Sequence, residues 1–306
     1  MEPNVASAGF VELVHRRRTL LITDAQVHLW APEQPNKPWP KPVQRPPHRP
    51  HGFSAEEMLA EMNAAKVDRA IVVPPNWVGD NNETALEAAA RYPDRFAVVG
   101  RFNPRAPDVR EQLSGWLAQP HMLGVRATFH TKPYSDWLED GTLDWFWADC
   151  ERLSIPVMAL VPGMVQKLRP ILERHPHLKI LIPHMGCVTS LRAPEAFSGL
   201  KDLLDLARFP GIFVMASSVP NFSKQRFPFS DLQPFLKRIF DKYGPKRMLW
   251  GADLTRLAST YRECLDQFQT ALDFLSSQDQ EWILGKSLVQ ALNWPESGSV
   301  LPATTI

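Results

Sequence analysis

Between residues 22 and 253 the chain carries eight short apolar runs, and a stretch with helical periodicity follows each one. The runs cover 22–30, 68–74, 95–102, 122–129, 155–161, 178–182, 211–217 and 247–253. Short runs of this kind, bounded by turn residues, read as buried strands. Helices are expected over 54–66, 82–92, 106–118, 143–153, 164–175, 197–208 and 232–243, with 260–275 and 278–292 closing the chain. The first of them opens on Ser54 with Glu57 three residues later, the spacing of a capping box. Eight strand–helix units in about 250 residues predict a single-domain α/β fold, the (β/α)8 TIM barrel. A doubly wound open sheet is the rival, but it needs fewer units and a glycine-rich phosphate turn after its first strand. Here that turn holds proline.

The barrel is expected over residues 20–294, between an N-terminal tail (1–19) and a C-terminal tail (295–306). Residues 31–52, directly after the first strand, contain eight prolines. Proline locks φ and removes a donor, so this segment is extended and stiff. Long irregular loops in compact domains are usually functional covers or linkers. We read it as a proline-rich lid bearing Trp39, Arg45, His48 and Arg49, with a passive surface loop as the alternative.

Charge narrows the partners. The formal net charge is +1, with acids and bases interleaved, so no basic stripe for nucleic acid is expected. The longest apolar runs, such as 157–161, are far too short to span a bilayer, and no membrane partner is expected. Arg16-Arg17-Arg18 is followed by only four residues before a polar stretch, too few for the apolar region of a secretory signal. Three scattered cysteines, Cys150, Cys187 and Cys264, imply neither a disulfide framework nor a cysteine zinc site. A cytoplasmic protein acting on a small molecule fits this composition. A homodimer is compatible with it.

The first run is unusual in its polarity. Regular alternation puts Ile22, Asp24, Gln26 and His28 on one side and Ala25, Val27 and Leu29 on the other. A column of carboxylate, amide and imidazole needs partners, because each buried polar group left unpaired costs about 1–3 kcal/mol. In barrels of this kind the active site lies at the C-terminal ends of the strands. The fourth run ends with Arg126, Thr128 and His130 on one face, the sixth with His184, and the eighth with Asp253 followed by Arg256. Two histidines, an aspartate and an arginine thus converge on one rim.

Two chemistries fit these residues. His28, His184 and Asp253 are three nitrogen and oxygen donors, enough for one Zn2+ or Mn2+ with a position left open for water. Without a metal, the imidazoles polarise a carbonyl and Asp253 activates water as general base. Arg126 offers a planar fork for a substrate carboxylate, or a salt bridge to Asp24 or Asp253 inside the barrel. His130, Arg256, Gln26, Trp77 and Ser217 are further candidate substrate contacts. Trp77, Arg101, Ser217 and Phe222 also end strands at this rim, and Trp77 with Phe222 would make an apolar wall.

Several stretches carry a family resemblance: Asp24-Ala25-Gln26-Val27-His28-Leu29-Trp30, Gly124-Val125-Arg126, Ile182-Pro183-His184-Met185-Gly186, Trp250-Gly251-Ala252-Asp253, and Trp282-Ile283-Leu284-Gly285-Lys286-Ser287-Leu288. In this order they resemble the amidohydrolase-related branch of the amidohydrolase superfamily. That branch holds 2-pyrone-4,6-dicarboxylate lactonase, sugar-lactonase-like hydrolases and relatives of aminocarboxymuconate-semialdehyde decarboxylase. The resemblance implies His28, His184 and Asp253 as catalytic residues, and as ligands where a metal is bound. The chain departs from the family pattern at Gln26, where the first histidine of a His-x-His pair is usual. It also lacks the fifth-strand histidine of many metal-dependent members. These departures speak against a two-metal site and leave either no metal or one.

The expected activity is hydrolysis of a lactone or ester of a small carboxylated or aromatic molecule by Asp253-activated water. The alternatives are a metal-dependent, non-oxidative decarboxylase of an aromatic or enoate acid, and a non-catalytic binding protein on a decayed barrel.

Overall fold

The structure, a computed structural model, describes residues 21–41, 47–49 and 51–295. The expected N-terminal tail, all of the C-terminal tail except Pro295, and Arg45 of the expected lid lie outside the described residues.

Eight strands form one parallel sheet in sequence order: β1 (Thr23–Val27), β2 (Arg69–Val72), β3 (Phe96–Arg101), β4 (Met122–Thr128), β5 (Val157–Leu160), β6 (Ile180–Ile182), β7 (Ile212–Ser217) and β8 (Met248–Gly251). The helices around them are α1 (Ala55–Ala65), α2 (Glu83–Arg91), α3 (Val109–Ser114), α4 (Asp144–Arg152), α5 (Leu168–Arg174), α6 (Leu200–Asp205), α7 (Gln233–Tyr243), α8 (Tyr261–Asp266), α9 (Ser277–Glu281) and α10 (Ser287–Leu292). The sheet curls into a nearly closed (β/α)8 barrel. Two of the expected long helices are not regular: α8 runs on through a π-turn at Gln267–Ala271, and α9 and α10 are joined through another at Trp282–Lys286. The capping box at Ser54 and Glu57 is present, with Ser54 Oγ accepting from the Glu57 amide at 3.2 Å.

Alternation sorts the strand residues into two apolar layers. Ile71, Val99, Met158, Leu181, Met215 and Leu249 fill the barrel interior, and Leu288, Leu292 and Trp294 plug its lower end. Val72, Val98, Val157, Ile180, Val214 and Trp250 face the helices. Inward residues near the carboxyl ends escape this apolar filling, so Arg101, Arg126 and Ser217 stand above the packed layers.

The first strand breaks the expected alternation. Between Asp24 and Val27 its register against β2 shifts by one residue, a bulge. Ala25 therefore packs in the barrel interior, while Val27 and Leu29 face the helices. Asp24 is turned away from Gln26 and His28, and its Oδ2 accepts from the Tyr261 hydroxyl of α8 at 2.8 Å. The expectation that Asp24, Gln26 and His28 form one column is thus corrected. Simple period-2 counting fails wherever an extra residue enters one strand.

The loop 31–52 leaves and returns beside one point: Trp30 and Phe53 exchange backbone hydrogen bonds of 3.1 and 2.9 Å. Its His48 ring lies 5.7 Å from Trp30 and 6.4 Å from Trp77.

Candidate active site

The carboxyl ends of β1, β6, β7 and β8 bring the central groups together. His184, Ser218 and Asp253 each follow a strand and adopt left-handed backbone, with φ of 55°, 56° and 54°. Non-glycine residues avoid this region, and such strain tends to gather where side chains must be aimed. Asp253 is further pinned by its amide, which donates to the Gln26 carbonyl at 3.0 Å.

The Asp253 carboxylate is the centre of the cluster. Its Oδ2 accepts from the Ser218 hydroxyl at 2.9 Å and lies 3.9 Å from His184 Nε2. Its Oδ1 lies 3.0 Å from His28 Nε2 and has no hydrogen-bond partner among the described residues. Burial by itself would raise this carboxyl, but the adjacent His28 imidazole, then His184 and Ser218, hold it well below the usual carboxylate range. Asp253 is thus ionised at neutral pH. Burial pushes the His184 imidazole down to about 4, against the attraction of Asp253 and with help from Arg126, so His184 is neutral there.

Each imidazole is oriented from behind. His28 Nδ1 lies 2.6 Å from the Val73 carbonyl, which makes Nδ1 the N–H nitrogen and turns Nε2 toward Asp253. His184 Nδ1 lies 3.0 Å from Ser217 Oγ, and the His184 amide donates to the same oxygen at 3.0 Å. Ser217 is fully buried and braces His184 from behind through these two contacts, instead of standing open as the expected substrate contact. Ser218, which steadies Asp253, was missed. The only signal for it was a second hydroxyl next to Ser217.

Gln26 stands where the family pattern has a histidine. Its Nε2 lies 3.4 Å from His28 Nε2, and its Oε1 accepts from Arg126 Nη1 at 3.5 Å. Neither Asp24 nor Asp253 pairs with Arg126 within salt-bridge distance among the described residues. Arg126 Nε has no hydrogen-bond partner among the described residues, although the residue is 95 % buried. Burial, with Arg101 beside it, lowers the Arg126 guanidinium to about 9, and Asp253 opposes that shift. It still carries its charge at neutral pH.

A cavity of about 500 Å3 opens beside this cluster. Trp77, Arg101, Arg126 and His130 line it, together with Arg105 and Trp137, which the sequence reading did not single out. His28, His184 and Asp253 do not line it. Arg126 links the two, since it borders the cavity and reaches Gln26 beside His28. Arg256 holds its guanidinium 5.5 Å from the ring of Trp77, which lines the cavity. Phe222 is not part of a wall; it is fully buried against Phe197. Pro40 and Lys41 of the proline-rich loop border the cavity.

Among the described residues no group of three His, Cys, Asp or Glu side chains stands ready as a metal cluster. In chemical kind, His28, His184 and Asp253 nevertheless fit one divalent ion. Both imidazoles are braced through Nδ1 as metal-bound histidines are, and Asp253 Oδ1 lacks a hydrogen bond. A second ion does not fit, because the neighbouring positions are Gln26 and the cationic Arg126.

Comparison with known proteins decides the family. A family model described as amidohydrolase matches residues 23–286. The chain belongs to the amidohydrolase family. Among curated relatives, a 4-sulfomuconolactone hydrolase of Hydrogenophaga intermedia is 27% identical over 200 residues, and the match spans 65% of this chain but only 64% of that protein. Another of the same name from Rhizobium radiobacter is 24% identical over 212 residues, 69% of each chain. Solved amidohydrolase structures share the fold. One from Burkholderia multivorans with bound zinc has a TM-score of 0.75 at 20% identity, covering 90% of this amidohydrolase and 100% of its own chain. A probable 2-pyrone-4,6-dicarboxylic acid hydrolase of Acinetobacter baumannii, with citric acid bound, has a TM-score of 0.73 at 17% identity and the same coverage. A 5-carboxyvanillate decarboxylase of Sphingomonas paucimobilis follows with a TM-score of 0.62 at 16% identity, covering 90% and 98%. No helix among the described residues of this amidohydrolase is long and apolar enough to cross a membrane.

Proposed function

We propose that this amidohydrolase opens the ring of a lactone that carries an anionic group, with Asp253 as the general base. The observation that carries the reading is the Asp253 carboxylate itself: ionised, held on Oδ2 by Ser218, flanked by two imidazoles, and with Oδ1 free of hydrogen bonds. A water on Oδ1 gives up a proton to the carboxylate as its oxygen attacks the lactone carbonyl carbon. His184, its Nδ1 accepting from the Ser217 hydroxyl, turns an Nε2–H toward the carbonyl oxygen as charge builds on it. His28 Nε2, which carries a lone pair, accepts from the second hydrogen of the attacking water. The tetrahedral intermediate then collapses, the ring C–O bond breaks, and the leaving oxygen takes the proton back from Asp253. The product is a hydroxy acid. Arg126, at the junction of cluster and cavity, holds the substrate's anionic group, while Trp77, His130 and Arg256 bound the mouth.

A zinc or manganese ion, if carried, would be held by His28, His184 and Asp253 and would add Lewis-acid polarisation of the carbonyl and of water. The zinc in the Burkholderia structure and the lactone hydrolases among the relatives support this frame. We place the protein in the cytoplasm, in keeping with three buried cysteines that form no disulfide.

The decarboxylase among the structural neighbours motivates a second reading, in which the same Arg126 and Asp253 handle a carboxylate lost as carbon dioxide. Purified protein should be assayed on 4-sulfomuconolactone, 2-pyrone-4,6-dicarboxylate and simpler carboxylated lactones, following ring opening by ultraviolet absorbance. Turnover that disappears in Asp253→Asn supports the hydrolase. Carbon dioxide release from aromatic acids without lactone opening replaces it with the decarboxylase.

A further inference from the structure

Arg101 and Arg126 are directly paired across the β3–β4 ladder, so two guanidinium groups stand side by side inside the barrel mouth. Their side chains are largely buried, and both border the same cavity. Like charges this close repel, and burial removes the water that would screen them. The surroundings compensate only in part. Arg101 Nη1 donates to Asn76 Oδ1 at 2.7 Å, and the half-exposed Asp80 carboxylate lies 3.9 Å from Arg101 Nε. The Nε atoms of both arginines are left without hydrogen-bond partners among the described residues. Lys41 and Arg105 also border the cavity, and among the described residues Asp80 is the one acidic side chain in its lining.

The remaining wall has a different character. Away from the barrel axis, under the loop that follows β4, the cavity is bounded by Phe102, Tyr134, Trp137 and Phe146. Tyr134 meets Trp137 edge-on with ring centroids 4.9 Å apart, and Phe102 stacks on Phe146 at 5.7 Å. Such a surface takes flat apolar groups and gains nothing from a compact hydrated ion.

We infer that the ligand of this recess is an anion with a planar apolar body, its charged group lying between Arg101 and Arg126 and its ring against Phe102, Tyr134 and Trp137. The inference rests on reading this end of the barrel as the active site, and it adds the shape of the substrate beyond the reacting bond. Arg101 becomes the second anion contact beside Arg126, and the aromatic recess decides how large a substituent is accepted.

Binding can be measured without turnover, by calorimetric titration at constant ionic strength. The probes are naphthalene-2-sulfonate, methanesulfonate and the uncharged 2-naphthalenemethanol. The aryl sulfonate should bind one to one and at least ten-fold more tightly than either of the others. Arg101→Met should weaken it ten-fold or more, and Tyr134→Ala should weaken it while leaving methanesulfonate unchanged. Equal affinity for the two sulfonates overturns the aromatic recess, and equal affinity for the alcohol overturns the arginine pair. Both comparisons use the unaltered protein and hold even if a variant fails to fold. Tight aryl sulfonate binding in a protein that opens no lactone leaves this inference standing and removes the proposed reaction.

Discussion

Asp24 Oδ1 accepts the Ala252 amide at 3.0 Å, one residue before Asp253. The same oxygen accepts the Gln26 amide at 2.9 Å, two residues before His28. Among the described residues no ladder joins β1 to β8, so this carboxylate, with the bond from the Asp253 amide to the Gln26 carbonyl, closes the barrel at its seam. The two chain segments that meet as His28 and Asp253 are thus tied together from behind by a residue that faces away from the site.

Asp24→Ala should therefore destabilise strongly. It strands two buried amides and the Tyr261 hydroxyl, each costing about 1–3 kcal/mol when unpaired. Asp24→Asn should cost less, since its carbonyl oxygen can still accept both amides. Thermal unfolding gives the ordering. Burial also raises the Asp24 carboxyl to about 7, against its three hydrogen bonds. A carboxyl raised in the folded state favours folding below its unfolded pKa, and that contribution is lost as pH rises through the folded value. The stability advantage of wild type over Asp24→Asn should thus shrink between about pH 4 and pH 7.

Asp253→Asn should lower kcat by about 100- to 10,000-fold on any lactone the wild type opens, with the fold intact by circular dichroism. Since Asp253 stays ionised far into acid and His184 protonates only near pH 4, kcat/KM should show no acid limb from these two groups above pH 5. Unchanged turnover in Asp253→Asn would remove it as the base.

Ser218→Ala takes one hydrogen bond from Asp253 Oδ2 and touches nothing else in the cluster. A hydrogen bond to a charged group contributes about 1.5–3 kcal/mol, so kcat should fall roughly ten-fold or more while KM stays near its wild-type value. Steady-state kinetics separate the two parameters. A change confined to KM would place Ser218 against substrate instead.

Arg126→Met should raise KM by about 30-fold or more, the effect of removing one partner of a buried charge pair. Arg126→Lys should recover little, because a point charge replaces a fork that spans the cavity and Gln26. In both variants the Asp253 cluster remains, so kcat should fall less than kcat/KM.

Elemental analysis of protein purified without added metal or chelator should find at most one zinc or manganese per chain. Any ion found should be lost in His184→Ala. Two equivalents would contradict the exclusion of a second ion by Gln26 and Arg126.

The barrel itself was legible in the chain, because eight apolar runs alternating with helical stretches leave few other ways to bury that surface. Asp253, His184, His28 and Arg126 were legible as rim residues because each ends a strand, and strand ends in this fold share one face. What the sequence could not carry was everything set by an irregularity or by a contact between distant strands. A single inserted residue in β1 sends Asp24 to the helix side, and no period-2 pattern reveals which residue is extra. Ser217 and Ser218 are adjacent and chemically identical, yet left-handed backbone at Ser218 gives one to Asp253 and the other to His184. The pairing of Arg101 with Arg126 depends on the β3–β4 register, and the recess beside them on the loop after β4. Local pattern determined the fold and the rim. Side-chain direction and long-range register, which depend on the closed barrel, decided which groups meet.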